Sequence, residues 1–147
     1  MQHLAIMNKK WKLIDKIISG EKKIESRWYV HKIAPWNKIK ENEIIYFKDC
    51  GEAVSAKAEV EKVLQYENYS EEQLKDIIFK HGGKEGICFI NPLPEVYEWA
   101  KNKKYSILIF LKNAKKIEPF QIDKKGYGNA CAWICVEDID LLKKTKF

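Results

Sequence analysis

The chain has 147 residues, a length usual for one domain, and 46% of them are apolar, which is enough to form a hydrophobic core. Lysines and arginines number 27 against 21 aspartates and glutamates, and this positive excess favours polyanionic partners. No run approaches the roughly 18 apolar residues of a membrane span, so we expect no membrane association. These features predict one soluble, cytoplasmic domain over residues 1–147.

The four cysteines, Cys50, Cys88, Cys131 and Cys135, include no C-x-x-C pair. A chain of this length does not need disulfides to fold, so we interpret them as reduced thiols. Cys131 and Cys135 stand four apart, as half of a metal site could, but small buried apolar residues are the better interpretation. We therefore expect no metal and no cofactor.

The first elements are defined by a change of period at Gly20. Residues 3–7 form an apolar run that predicts a strand, and Asn8 is suited to cap the helix predicted over residues 9–19. Gly20 then supplies a helix stop. Over residues 24–31 the period is two. The side chains predicted to share one face of this second strand are Glu25, Arg27, Tyr29 and His31.

Strands are also predicted over residues 43–48 and 53–60. Ser70 and Gln73 form a capping box before a second helix that Gly82 ends, and a shorter helix starts near Pro94. Strands over residues 105–111 and 130–136 and a turn over residues 138–143 complete the chain. Because strands outnumber helices and no regular βαβ rhythm occurs, the sequence predicts an α+β fold with its sheet curled into a small barrel.

The segment Gly20-Glu21-Lys22-Lys23-Ile24-Glu25-Ser26-Arg27 carries the clearest functional signal. Lys22 stands at the turn, while Glu25 and Arg27 project from one strand face, so two cations flank one carboxylate. Such a group can hold a phosphate or a polar base edge, with Glu25 orienting the cations or accepting hydrogen bonds from the ligand. The alternative is a set of exposed ion pairs that contribute under about 1 kcal/mol.

This segment resembles the Gly-x-Lys-x-x-Glu-x-Arg signature of the ASCH family, which Gly20, Lys22, Glu25 and Arg27 match in a helix-to-strand setting. The order of the predicted elements is similar over nearly the whole chain. The resemblance implies an α+β fold, a PUA-like small β-barrel with flanking helices, and a cleft beside the first helix. It further implies RNA or a nucleotide-like ligand as partner, with translation-related proteins as further candidates.

Three residues outside the motif are candidates for the same cleft. Tyr29, on the face of Arg27, and Trp36, in the following loop, could stack on bases, although strand packing and a loop anchor are the alternatives. Lys57 could add a phosphate contact or remain solvated. A turn at residues 126–128 before Asn129 and Trp133 could cover a ligand, with Trp133 better interpreted as a core residue.

Enzymatic and adaptor functions remain open alternatives. Some ASCH proteins are amidohydrolases that act on acylated cytidine. The lysine of these enzymes corresponds to Lys22, and their glutamate follows a histidine by four residues, as Glu85 follows His81 here. The threonine of these enzymes is replaced here by Glu25. A carboxylate beside Lys22 should keep the Lys22 ammonium protonated, which suits anion binding.

A ribonuclease would use Lys22 and Arg27 to stabilise charge on phosphate, with Tyr29 or His31 moving protons. An adaptor would use the barrel surface alone.

Overall fold

The protein is described by a computed structural model over residues 1–124, 126–127 and 131–144. No helix within these ranges is long and apolar enough to cross a membrane. The strands are β1 (Gln2–Met7), β2 (Ile24–Tyr29), β3 (Ile44–Asp49), β4 (Val54–Glu67), β5 (Tyr105–Phe120) and β6 (Trp133–Val136). The helices are α1 (Leu13–Ser19), α2 (Glu71–His81) and α3 (Leu93–Ala100), with 3-10 turns at Lys9–Trp11 and Ile139–Leu142.

The six strands form one curled sheet in the order β2-β5-β4-β3-β1-β6. Neighbouring strands are antiparallel except β1 and β3, which are parallel. The sheet is a half-barrel with three α-helices, so the predicted α+β fold is confirmed. Helix α1 lies between the first two strands of the chain, as the period change at Gly20 predicts. Strands β2 and β6 are the two outer strands of the sheet.

The start of α1 differs from the prediction of one helix over residues 9–19. Lys12 adopts a left-handed conformation with φ 53°, so a 3-10 turn ends there and α1 begins at Leu13. The break carries Trp11 out of the helical repeat and leaves its side chain 47% exposed, whereas Ile14 and Ile17 are buried as expected. Gly20 ends α1 in the left-handed region at φ 84°, as predicted.

Two apolar clusters pack against the two faces of the sheet near β2. The inner face packs against α1 and contains Phe47, Ile107 and Ile109. The outer face of β2 and β5 is covered by α2 and α3, which bury Trp28 and Leu108 in a second cluster. Ser70 caps α2 by accepting a hydrogen bond from the Gln73 amide at 3.1 Å, which confirms the predicted helix start.

The last strand begins later than predicted. The structure assigns β6 from Trp133, whose side chain is buried in the inner core, as the sequence interpretation expects. Asn129 lies outside the described residues, as does Ala130, the first residue of the predicted strand.

A buried histidine joins the opening and closing strands. His3 is fully buried, and its Nε2 donates a hydrogen bond to Oε1 of Glu43 at 2.8 Å, while its Nδ1 accepts one from Trp133 Nε1 at 3.1 Å. Burial lowers the His3 pKa, and Glu43 only partly opposes this. The neutral ring is therefore the form that fits the network, because an imidazolium has no acceptor for the Trp133 N–H.

We expect the free energy of unfolding to fall as the pH decreases from about 7 to about 5. The lowered pKa of folded His3 means that the unfolded chain binds the proton more readily in this range, with a slope of at most about 1.4 kcal/mol per pH unit for this group. In His3→Gln that part of the slope should disappear in urea titrations at several pH values. The pKa of Glu43 is also lowered, but this carboxyl affects the free energy of unfolding only at lower pH. Equal slopes for the two proteins would refute the role of His3.

Candidate functional site

The predicted motif is held in place by the loop between α2 and α3 (residues 82–92), here called the α2–α3 loop. The Gly86 carbonyl accepts hydrogen bonds from the amides of Lys23 and Ile24 at 3.0 and 3.1 Å, and the Glu85 amide donates to the Glu21 carbonyl at 2.7 Å. The loop thus runs along the turn that precedes β2. It also brings Ile87 and the residues after it against the side chains of the motif.

The structure brings Lys22, Glu25 and Arg27 together. The Lys22 side chain is only 3% exposed, and its Nζ donates to the Ile87 carbonyl at 2.6 Å and lies 3.7 Å from Oε1 of Glu25. The Arg27 Nη2 lies 3.5 Å from the other Glu25 oxygen, Oε2. The Ser26 amide donates to Oε1 at 3.0 Å. One buried carboxylate therefore stands between two cations, and the exposed ion pairs considered from the sequence do not describe this geometry.

Arg27 also connects the outer strands of the sheet. Its Nη1 donates to the Ala132 carbonyl just before β6 at 3.3 Å, and its Nη2 donates to the Ile6 carbonyl of β1 at 3.5 Å. The guanidinium lies 5.0 Å from the centre of the Trp133 ring, within cation–π range. A side chain of β2 thus contacts the strands at the opposite end of the sheet, and much of its hydrogen-bonding capacity is used inside the protein.

Burial dominates the protonation of Lys22. It lowers the Lys22 pKa, with Arg27 acting in the same direction, while the neighbouring Glu25 carboxylate opposes the shift. The sequence, in which Glu25 is the neighbour considered for Lys22, predicts the opposite direction. Tyr29 is half-buried beside these groups, and its burial raises the pKa of its hydroxyl.

A pocket of about 320 Å³ opens beside the charged group. Lys22, Glu25 and Ser26 supply part of its polar lining, and the rest comes largely from the α2–α3 loop and α3. The aromatic lining residues are Trp11, Trp28, Phe89 and Trp99. A recess of about 260 Å³ shares several of these residues and adds Arg27 and Tyr29. The motif therefore converges on a concave site.

The aromatic lining is partly fixed and partly exposed. Trp28 is buried, donates from its Nε1 to Ser26 Oγ at 2.9 Å, and contacts Trp99 edge-on with ring centres 6.0 Å apart. Trp99 is 48% exposed, and Lys103 Nζ lies 5.3 Å from its ring centre. Together with the exposed Trp11, it presents ring surface that a flat ligand can cover.

Three predicted site residues line neither the pocket nor the neighbouring recess. Trp36 is only 8% exposed and packs in the inner core, with its ring centre 5.1 Å from that of Tyr105, so it is not available for base stacking. Lys57 lies on β4 and lines a separate cavity. Glu85 is exposed on the α2–α3 loop and does not line the pocket; the carboxylate that does so from α3 is Glu95.

Sequence reasoning missed the pocket residues that lie far from the motif. Trp11, Cys88, Glu95 and Trp99 are not among the site residues predicted from the sequence. Cys88 lines the pocket in a left-handed conformation with φ 57°. No sequence signal marks these positions, because the α2–α3 loop and α3 reach β2 only through tertiary packing. In the described ranges no cluster of His, Cys, Asp or Glu side chains could hold a metal ion.

Comparisons with known proteins define the fold. No family model matches the chain, and no curated protein sequence is significantly similar to it. Among solved structures, the crystal structure of an ASCH protein from Zymomonas mobilis matches with a TM-score of 0.66 and 13% identity, over 97% of this chain and 96% of that one. A serine-to-alanine mutant of the same protein gives 0.67 and 14%, over 95% and 91%.

At this identity the likeness concerns the fold, and the correspondence of Gly20, Lys22, Glu25 and Arg27 with the family signature stays a prediction. The match extends over nearly the full length of both chains, so it includes the curled sheet and the helices that surround the pocket. The chain therefore has the fold of the ASCH proteins.

Proposed function

We propose that the protein binds RNA or a nucleotide by accepting one unpaired base into the tryptophan-lined pocket. The observation that carries this proposal is the buried pair of Lys22 and Glu25 in the lining of a pocket that also contains three tryptophans. The adaptor interpretation requires a flat surface at the motif, and the concave pocket favours a ligand instead.

The size and lining of the pocket support a flat, single-ring or double-ring ligand. Its volume of about 320 Å³ lies at the lower end of small-molecule sites, which suits one base better than a long segment of chain. Trp99 and Trp11 offer stacking surface at the opening. Stacking on an aromatic side chain contributes about 1 to 3 kcal/mol per base and works only for bases that are not already paired.

The polar lining supports recognition of a base edge. Lys22 Nζ is a donor, and the Glu25 carboxylate beside it is an acceptor, so neighbouring acceptor and donor groups of a base can meet both. Because Lys22 and Glu25 are removed from water before any ligand arrives, a hydrogen bond to either is stronger than one at the surface.

In this proposal Arg27 mainly holds Glu25 in place, whereas the sequence predicts that Arg27 itself contacts a phosphate or a base edge. Its guanidinium already meets the Ala132 and Ile6 carbonyls as well as Glu25. The phosphate of a bound nucleotide would remain outside the pocket, on the side of Trp99 where Lys103 lies.

Glu25→Gln should weaken binding, because the carboxylate orients both cations.

A second candidate function is hydrolysis of a nucleoside derivative, and the lowered pKa of Lys22 favours it. A lysine that loses its proton more easily can act as a general base, as an amidohydrolase requires. The expected glutamate at position 85 is exposed, so Glu95 would have to take its place. Incubation with a panel of acylated nucleosides distinguishes the two functions, since only the hydrolase releases the free acid.

Replacing Trp99 by alanine should weaken the binding of 5′-ribonucleotides by about 5- to 150-fold, the equivalent of 1 to 3 kcal/mol of lost stacking. Trp99→Phe should retain most of the affinity, because it keeps a ring at the opening. Phe79→Ala is the matched control, since Phe79 is exposed on α2 and does not line the pocket. Calorimetric titrations that give the same affinity for Trp99→Ala and the control would reject stacking at this site.

Binding should also weaken as the pH rises through the lowered pKa of Lys22, because the ammonium loses a proton and its charge. Lys22→Met, which keeps the aliphatic length, should bind about 10- to 150-fold more weakly at pH 7, the range for a lost hydrogen bond to a charged group, and should lack this pH dependence.

Lys23→Met is the control for the Lys22 experiment, since the Lys23 side chain is exposed in the same turn. Titrations over pH 7 to 10, with circular dichroism to verify folding, provide the measurement. A Lys22→Met protein with the affinity and pH profile of the Lys23→Met control would contradict the role of the ammonium.

A further inference from the structure

Three lysines share one face of the two longest strands, away from the pocket. In the register of β4 and β5, Lys57 stands directly opposite Lys115, and Lys112 stands opposite Glu59. Lys116 stands opposite the buried Ala56 and so belongs to the other face. Lys115 is exposed, while Lys57 and Lys112 are half-exposed. We call Lys57, Lys112 and Lys115 the lysine surface.

A bulge in β5 shapes this surface. Between the pairs Lys57/Lys115 and Glu59/Lys112, β5 has one residue more than β4. Asn113, which lies in this part of β5, has a left-handed conformation with φ 53°. A cavity of about 240 Å³ lies here, and its lining includes Lys57, Lys115, Asn113 and Glu59. The two facing lysines therefore border this recess together with one carboxylate.

The lysines of this surface are not engaged in ion pairs. In the described part of the chain, no aspartate or glutamate forms an ion pair with Lys57, Lys112 or Lys115. Glu59, the nearest acidic residue in the register, accepts a hydrogen bond from the Asn113 side chain. Lys112 donates to Asn42 Oδ1 at 3.1 Å. Like charges directly opposite each other destabilise a strand pair, and an anion bound between them removes that repulsion.

We propose that the lysine surface binds phosphate groups of a single-stranded RNA whose base occupies the pocket. The inference rests on the proposed function in taking RNA as the ligand, but its residues are separate from the pocket. Ile109 of β5 is paired with Glu25, and Lys115 lies six residues further along β5, about 20 Å at strand spacing. A strand of several nucleotides spans this distance, in keeping with sites of about 4 to 16 nucleotides on other small barrels.

The test compares a 5′-ribonucleotide with a single-stranded RNA of about ten nucleotides at several salt concentrations. In Lys57→Gln/Lys115→Gln the affinity for the oligonucleotide should fall, and its dependence on log salt should become shallower by about 1.4, or about 0.7 for each lost phosphate contact. The affinity for the mononucleotide should not change. Lys75→Gln/Lys80→Gln, on exposed positions of α2, removes the same charge and should leave the slope almost unchanged.

The outcomes separate this inference from the proposed function. If the mononucleotide binds but the oligonucleotide gains no affinity, or if Lys57→Gln/Lys115→Gln behaves like the α2 control, the lysine surface is rejected and the pocket stands. If the oligonucleotide binds through Lys57 and Lys115 but no mononucleotide binds, the pocket function is rejected and the surface stands. Equal losses for RNA and for polyglutamate of matched charge would overturn its assignment to phosphate groups.

Discussion

The Glu25 carboxylate, held between Lys22 and Arg27, is the interaction on which the candidate site depends. Through Lys22 it is linked to the Ile87 carbonyl of the α2–α3 loop, and through Arg27 to the strands at the far end of the sheet. All three side chains are largely withdrawn from water. Removing one member of such a buried set typically destabilises a protein by about 3 to 5 kcal/mol, since it leaves a charge without its partner.

In the proposed function the motif has two roles, one in binding and one in holding the fold, which the sequence alone does not distinguish. The same groups that would meet a ligand also hold the curled sheet and the pocket loop in their relative positions. Arg27 further contacts Trp133, which donates to the buried His3, and His3 donates to Glu43. A polar network therefore runs from the pocket to the opening strand. Because its members are buried and paired, the pocket is preorganised, and a ligand need not order these side chains when it binds.

The sequence predicts those elements whose signals are local. The change of period at Gly20 gives α1 and the face of β2 that carries Glu25 and Arg27, and the Ser70 cap gives α2. The helix over residues 9–19 is interrupted because Lys12, which is not a glycine, adopts a left-handed conformation that no residue pattern indicates.

Strands and site residues beyond these local signals were predicted less well. Strands β4 and β5 continue past their predicted ends, because pairing along a bulged ladder extends them into polar residues. Trp36 follows β2 closely in sequence, but its loop returns it to the core. Conversely, Trp99 and Glu95 lie about seventy residues from the motif and reach the pocket through the packing of α3. Contacts of this kind depend on the tertiary fold, and the periodicity of the sequence does not indicate them.

A crystal structure of the protein with a 5′-ribonucleotide would show whether the pocket beside Lys22 and Glu25 binds a base. We expect the base against the Trp99 ring, its edge within hydrogen-bonding distance of Lys22 Nζ and Glu25, and its phosphate outside the pocket. A nucleotide bound with measurable affinity at another surface, with the pocket empty, would contradict the proposed function.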